Sequence, residues 1–324
     1  ACNFVQAQFL TYTNIAPMSQ PRTAIDATSY NGKIYIACGN SNAGYYTDVL
    51  VYDIATNTYT TIPEITESRY GNIEAYNGKL YIFNGQRENG TLNPWITVYD
   101  IATSNLSYVT NPYPSRNAGS VVNSNGDIYF FGGANEDEGV FYNRLVKYVP
   151  STGQFTLMVN MPNAMETKGE IVGNSLFVFG GYNGSILSTV YEYNIFENWW
   201  STANFDVPGG ISANAVATDG SRIFLTGDFS NQTNNKIYEA ENFQAFQIFD
   251  ISQSGFVGRR HHASVVVNDK LYVFGGNTAT SLTSTLTSAQ VANLPMNVGM
   301  IGAFTSWSND IVLSTNDGVN YFYG

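Results

Sequence analysis

An apolar segment that ends in glycine recurs along this chain at nearly constant spacing. Its copies are NGKIYIACG (31–39), NGKLYIFNG (77–85), NGDIYFFGG (125–133), GNSLFVFGG (173–181), SRIFLTG (221–227) and NDKLYVFGG (268–276), with NDIVLST (309–315) as a degenerate seventh. Units of this length cannot bury a core alone, so they must stack on their neighbours. The repeat therefore predicts one continuous array over residues 1–324 rather than several unrelated domains.

Each copy carries the same signals for strands and turns. An Asn-Gly or Asn-Asp pair joins two alternating apolar runs, which is typical of a tight β-hairpin. A second signal follows, in which two aromatic residues stand seven positions apart. It occurs in YDIATNTY (52–59), YVPSTGQF (148–155), YNIFENWW (193–200) and FDISQSGF (249–256). Each unit is thus predicted to form four short antiparallel strands.

These elements together resemble the kelch repeat. The matching residues are Arg259, His262 and the segment Leu271 to Gly276, together with the aromatic pairs quoted above. The resemblance implies an all-β, seven-bladed kelch-type β-propeller, a single domain with four antiparallel strands per blade. The glycine pairs lack Cβ atoms, so they are expected to allow close approach of the backbone between blades.

The N-terminal segment QFLTYTNIAPMSQPR resembles the end of a repeat such as NTYTTIPEITESR. We therefore expect a strand at about residues 8–16 to be the outer strand of the seventh and last blade. Pairing the two ends of the chain in one sheet would cover an edge that otherwise stays open.

Composition limits the classes of partner. The net charge is −11, with only 14 Lys and Arg residues, so a nucleic acid partner is not expected. No run of 18 apolar residues occurs, so no membrane span is expected. The Asn-rich, Lys-poor composition and an N-terminus without Met, which fits a removed signal peptide, indicate a secreted or cell-surface protein.

Two cysteines and four Asn-x-Ser/Thr triplets bear on modification. Cys2 and Cys38 are a candidate disulfide in an oxidising compartment, and two unpaired thiols are the alternative. The triplets are no more frequent than chance predicts, so they are only candidate glycosylation sites; they begin at Asn89, Asn105, Asn183 and Asn231.

The only two histidines, His261 and His262, are adjacent, so on one strand they point to opposite faces. Neither a metal site nor a cofactor is expected. The acidic loop ANEDEGVF (134–141) is interpreted as solvated rather than as a calcium site. His262 occupies a slot of the repeat, whereas no repeat explains His261, which is a candidate binding residue.

Several arginines begin successive innermost strands. Arg259 forms a series with Arg22 and Arg116, and Arg69 lies one residue out of register. They are interpreted as blade-bridging residues that bond to loop carbonyls, with binding as the alternative.

Glutamate occupies a strand position that holds mostly apolar residues in the other copies. Glu74 and Glu170 stand where other repeats have Thr28, Val122, Val216 and Val265. A buried carboxylate must be paired with a positively charged group or be hydrated by water. Each glutamate is therefore expected to pair with a base such as Arg69, Arg116 or Lys168, or to bind ligand or transfer protons at the mouth of a central channel.

We expect an extracytoplasmic binding, adhesion or assembly module for glycans or partner proteins, with possible self-association. The alternative is a carbohydrate-modifying enzyme that resembles kelch-type sialate mutarotases and uses channel carboxylates and arginines. Convergence of carboxylates with arginines in one channel pocket would favour the enzyme.

Overall fold

The structure, a computed structural model, describes residues 3–7, 9–229, 237–241, 247–250, 252–291, 297–301, 311–315 and 321–322. Its regular elements are all β-strands. Among the described residues, no helix has the length and apolar character needed to cross a membrane.

The first half of the chain forms three four-stranded sheets. Three short strands precede them: β1 (Asn3–Ala7), β2 (Phe9–Thr11) and β3 (Thr13–Ile15). The first sheet contains β4 (Thr23–Tyr30), β5 (Lys33–Ser41), β7 (Val49–Asp53) and β8 (Thr58–Ile62), with β6 (Gly44–Tyr45) paired to β5. The second contains β9 (Arg69–Tyr76), β10 (Lys79–Gln86), β11 (Trp95–Asp100) and β12 (Leu106–Thr110). The third contains β13 (Gly119–Val122), β14 (Ile128–Phe131), β17 (Leu145–Val149) and β18 (Gln154–Leu157), with a side hairpin of β15 (Ala134–Asn135) and β16 (Val140–Phe141).

The second half continues the pattern. The fourth sheet contains β19 (Glu166–Val172), β20 (Ser175–Tyr182), β21 (Ile186–Asn194) and β22 (Trp199–Ile211). The fifth contains β23 (Ala215–Thr218), β24 (Ile223–Thr226), β25 (Ile237–Glu241) and β26 (Gln247–Asp250). Beyond β27 (Ser252–Ser254), the sixth contains β28 (Ala263–Val267), β29 (Lys270–Phe274), β30 (Leu286–Gln290) and β3. The last strands, β31 (Asn297–Ile301), β32 (Ile311–Thr315) and β33 (Tyr321–Phe322), join β1 in a separate sheet.

Within the described residues, six of these sheets form a closed ring around a central channel. The first strand of each sheet packs against the first strand of the next, in the order β4, β9, β13, β19, β23 and β28, and β28 packs directly against β4. The prediction of seven blades is therefore wrong. The degenerate seventh copy forms β32 in the separate sheet, because β28 and β4 leave no place for another inner strand between them.

A glycine contact distinguishes the six true copies from the seventh. A Cβ atom on Gly133 would lie 2.7 Å from the carbonyl oxygen of Arg116 in the same blade, and one on Gly132 would lie 2.5 Å from that of Met165 in the next blade. Only glycine tolerates both approaches. At the two positions held by Gly132 and Gly133, every blade of the ring has at least one glycine; the other five blades have Gly39, Gly85, Gly180, Gly181, Gly227, Gly275 and Gly276. The seventh copy has Thr315 and Asn316 at these two positions.

The N-terminal segment completes the sixth blade, not a seventh. β3 pairs antiparallel with β30, so that Thr13 lies opposite Ser288 and Ile15 opposite Leu286. Before β3, β2 pairs in parallel with β27. Leu10 and Tyr12 are buried in a core cluster with Phe256, Leu271 and Val273.

The structure describes some of the residues for which a disulfide or glycosylation was predicted. Cys38 is a buried free thiol that accepts a hydrogen bond from Ser68, and burial raises its pKa to about 12. Cys2 and Asn231 lie outside the described residues. Asn89 and Asn105 are exposed and Asn183 is half-buried, so glycosylation of these three stays a prediction.

Deleting residues 1–16 should destabilise the ring strongly. The deletion removes the hydrogen bonds of β3 to β30 and the buried side chains of Leu10 and Tyr12. Loss of two large core side chains costs several kcal/mol, so we expect the melting temperature to fall by roughly 10 °C or more. The control is deletion of residues 1–7, which removes only β1, outside the ring. Equal melting temperatures of the 1–16 deletion variant and the parent would contradict closure of the sixth blade by β3.

Candidate functional site

Five of the six inner strands begin with a residue in a strained backbone conformation. Ala24, Tyr70, Asn117, Ala213 and His261 have φ angles of 51–57°, a region that costs a residue with a Cβ atom about 1 kcal/mol or more. Interblade hydrogen bonds hold this conformation. The backbone N–H groups of Ala24, Asn117 and His261 donate to the carbonyls of His261, Tyr70 and Ala213, each at 2.8 Å. Backbone strain of this kind clusters at functional sites, so we expect a functional site where the inner strands begin.

Four of these residues surround a cavity of about 250 Å³ at this end of the channel, which we call the mouth pocket. Its wall combines the starts of inner strands with the end of β20 and the loop that follows β24. The lining side chains with polar or aromatic groups are Tyr70, Arg116, Asn117, Glu166, Thr167, Lys168, Tyr182, Ser212, Asn214, Phe229 and His261.

An ion-pair network forms one side of the mouth pocket. Arg116 contacts Glu166 at 3.2 Å and also pairs with Glu136, and Asn117 donates to the second oxygen of Glu166 at 2.9 Å. Arg69 lies 3.8 Å from Glu136 and donates to Gln86 at 2.9 Å. Glu136 comes from the acidic loop, so this loop holds the two arginines in place.

Aromatic rings form the other side. His261 meets Tyr70 edge to face at 5.1 Å and lies 6.3 Å from Phe229, which Arg260 covers at 4.4 Å. Phe229 and Tyr182 both line the cavity and remain 44% and 40% exposed. Burial and the positive charge of Arg260 lower the pKa of His261 to about 3, so its imidazole is neutral at physiological pH.

The structure corrects the register of the arginine series. Arg22 and Arg259 share one slot, where both are buried: Arg22 binds Asp48 at 2.7 Å, and Arg259 donates to the carbonyl of Gly275 at 3.1 Å. Arg69 and Arg116 share the next slot with Arg260, since the same glycine contact reaches the carbonyls of all three. Arg22 and Arg259 therefore hold blades together, whereas in the second series Arg116 lines the mouth pocket, Arg69 pairs with Glu136 and Arg260 covers Phe229.

Farther along the inner strands lies a second cavity of about 290 Å³, which we call the channel cavity. Asp26, Glu74, Lys168 and Glu170 line it, and Lys168 lines the mouth pocket as well. Arginine is absent from the described lining of the channel cavity. The predicted glutamates thus converge with each other and with Lys168, but not with Arg69 or Arg116.

The carboxyl groups of the channel cavity bond to neighbouring strands rather than to cations. Glu74 accepts from Ser120 at 2.6 Å, and Asp26 accepts from the backbone N–H of Ile73 at 3.2 Å. Lys168 donates to the carbonyl of Ala118 at 2.9 Å. The ion pair expected for Glu74 and Glu170 is not found among the described residues.

This arrangement favours protonated carboxyl groups. Burial, together with the negative charge of Asp26, raises the pKa of Glu74 to about 8. Burial and the charge of Glu74 raise the pKa of Glu170 well above its usual value, and burial also raises the pKa of Asp26. Such groups can donate hydrogen bonds or exchange protons with a ligand near neutral pH.

His262 has a structural position. Its Nε2 lies 2.8 Å from the hydroxyl of Thr226, and burial lowers its pKa well below the usual value, so the ring is neutral. In the part of the chain that the structure describes, no three His, Cys, Asp or Glu side chains are arranged to hold a metal ion.

The channel carboxyl groups make stability depend on pH. The folded-state pKa of Glu74, about 8, lies above the unfolded value of 4.5, so the folded state holds the proton more tightly. Its contribution to stability is full below pH 4.5 and is lost as pH rises through 8. Glu74→Gln should therefore stabilise the protein by on the order of 2–4 kcal/mol at pH 9 and change little at pH 5.

Denaturant unfolding at both pH values measures this difference. Glu64→Gln is the control, because Glu64 is exposed in a loop. A Glu74→Gln variant that is no more stable than the parent at pH 9 would contradict a raised pKa.

Comparison with known proteins places the chain in a family. The family model for the Attractin/LZTR1 beta-propeller matches residues 80–293, well over half of the chain. Kelch-like protein terF of Aspergillus terreus is 28% identical over 195 residues, which cover 54% of this chain and 42% of terF. Kelch-like protein 15 of Homo sapiens is 23% identical over 216 residues, covering 59% of this chain and 35% of that protein. The chain thus matches less than half the length of these relatives.

A solved structure shares the fold. "Structure of YjhT" superposes with a TM-score of 0.65, covers 85% of this chain and 99% of that one, and is 17% identical in sequence. Propellers of the kelch type generally bind protein partners. By repeat, architecture and family match, the chain belongs to the kelch-repeat β-propellers, in the family of the Attractin/LZTR1 beta-propeller.

Proposed function

We propose that this chain is an extracytoplasmic protein-interaction module that holds a short acidic segment of a partner protein in the mouth pocket. The observation that carries the proposal is the pair of half-exposed aromatic side chains, Tyr182 and Phe229, at the rim of this cavity. Aromatic side chains beside arginine are the usual anchors of protein interfaces.

Charge favours an acidic segment. Arg69, Arg116, Lys168 and Arg260 lie in or beside the mouth pocket, and the acidic groups among them are Glu136, Glu166 and Asp228, which accepts a hydrogen bond from the backbone N–H of Ser212. The neutral His261 adds no charge but offers a ring for stacking. A local excess of positive charge on a chain of net charge −11 would attract a carboxylate to this one place.

Pre-organisation supports the proposal. The left-handed residues, their interblade hydrogen bonds and the Arg116–Glu166–Asn117 network fix the wall before any partner arrives. A rigid wall loses less conformational entropy on binding than a mobile one.

A displayed library of random peptides, selected on the immobilised protein, tests the proposal. Selected peptides should be rich in Asp and Glu, and their affinity, measured by calorimetry, should fall at least about tenfold in a Tyr182→Ala/Phe229→Ala double variant. Trp199→Ala is the matched control, because Trp199 is an equally exposed aromatic residue on the outer strand of the fourth blade.

Equal affinity of the selected peptides for the parent and the double variant would refute the mouth pocket as their site. A glycan array probed with the parent, the double variant and Trp199→Ala tests glycans, the other expected class of ligand. Glycan binding that the double variant loses, without peptide binding, would replace a protein partner with a carbohydrate.

A further inference from the structure

The channel cavity holds more acid than base. Across the six inner strands and the residues that lead into them, its lining contributes three carboxyl groups, from Asp26, Glu74 and Glu170, and one ammonium group, from Lys168. His262 is neutral, and the described lining from β13 and β23 is uncharged. If every group were ionised, the cavity would carry an excess of two negative charges.

Lys168 does not neutralise these carboxyl groups. Its ammonium group donates to the carbonyl of Ala118, and it lies within 4.0 Å of no carboxylate among the described residues. In the described part of the chain, Glu74 and Asp26 thus have hydrogen-bond donors but no paired cation, and an external positive charge could supply one.

Two further polar atoms of the same wall lack partners. Nδ1 of His262 and Oγ of Ser264 are buried without a hydrogen bond, and both side chains line the channel cavity. The two residues are 4% and 6% exposed. Buried polar atoms in folded proteins are nearly always bonded, so unpartnered ones beside a cavity indicate a missing ligand or solvent partner.

The shape of the site selects the kind of cation. The described acidic side chains and His262 are too dispersed for three of them to share one metal ion. An ammonium or guanidinium group carries several N–H donors that can reach separate carboxylates, and a cavity of about 290 Å³ accommodates such a group on a short carbon chain.

We infer that the channel cavity binds an organic cation, a primary ammonium or guanidinium group, through the carboxyl groups of Asp26, Glu74 and Glu170. The site goes beyond the proposed function, because Tyr182 and Phe229 do not line it. The cation is either a free small amine or the end of a Lys or Arg side chain from a partner. Binding releases protons near neutral pH, since a positive charge lowers the raised pKa values of these carboxyl groups.

Calorimetry at pH 7 in phosphate and in MOPS buffer, neither of which contains a primary ammonium or guanidinium group, tests this inference. The test compounds are n-butylamine and ethylguanidine, with n-butanol as the neutral control, and N-acetyl-lysine amide represents a partner side chain. We expect the cations to bind and n-butanol not to bind. The apparent enthalpy should differ between the buffers, because released protons are taken up by the buffer. Binding of the free amines alone indicates a small-molecule ligand, whereas tighter binding of the lysine amide indicates a partner side chain.

Three variants are expected to change the affinity for the cation, two of them in one direction and one in the other. Glu74→Gln and Glu170→Gln should each weaken cation binding at least about tenfold and reduce proton release. Lys168→Met should strengthen cation binding severalfold, because it removes the competing positive charge. A purely structural role of Lys168 would not produce this gain. Glu64→Gln, on an exposed loop, is the matched control and should bind like the parent.

Failure of all the cations to bind the folded parent protein would overturn the inference. Unchanged affinity in both Glu→Gln variants, or weaker binding in Lys168→Met, would also overturn it. None of these results bears on peptide binding at the mouth pocket, which the Tyr182→Ala/Phe229→Ala variant tests separately.

Discussion

The close approach of two backbones at one glycine in each blade supports the rest of this structure. Where a Cβ atom on Gly133 would meet the carbonyl of Arg116, the second strand of the blade lies tight against the start of the first. That start is also held by the preceding blade, because Asn117 donates to the carbonyl of Tyr70. Such glycine contacts lie within the blade at Gly39, Gly85, Gly133, Gly181 and Gly276, and reach the next blade at Gly227. At the starts of five of the six inner strands, a residue also has a left-handed backbone conformation.

This geometry separates two kinds of chemistry along one axis. The starts of the inner strands present arginines, amides and aromatic rings, whereas the middles present carboxyl groups. Lys168 lies between the two cavities and lines both. The arginines therefore keep ion pairs near solvent, and the carboxyl groups, without such partners, hold protons instead.

The sequence predicts the repeat, the strand pattern and the kelch family, because hairpin turns and glycine pairs are local signals. It misleads on the number of blades, because NDIVLST keeps the apolar pattern, but Thr315 and the Asn316 that follows it stand where each of the six blades has at least one glycine. Glu74 and Glu170 were recognisable as polar exceptions in an apolar slot. Asp26, Arg260 and Phe229 were not, because their role depends on a one-residue register shift and on contacts between blades that no single repeat contains.

Closure of the ring by β3 also determines the order of events during synthesis. Thr13 pairs with Ser288, 275 residues later, so β3 must wait for nearly the whole ring to be made before it finds its partner. Contacts so distant in sequence are formed slowly. While the ribosome is still at work, the first and sixth blades both lack a neighbour, and the nascent chain exposes apolar blade faces until the last contact is made.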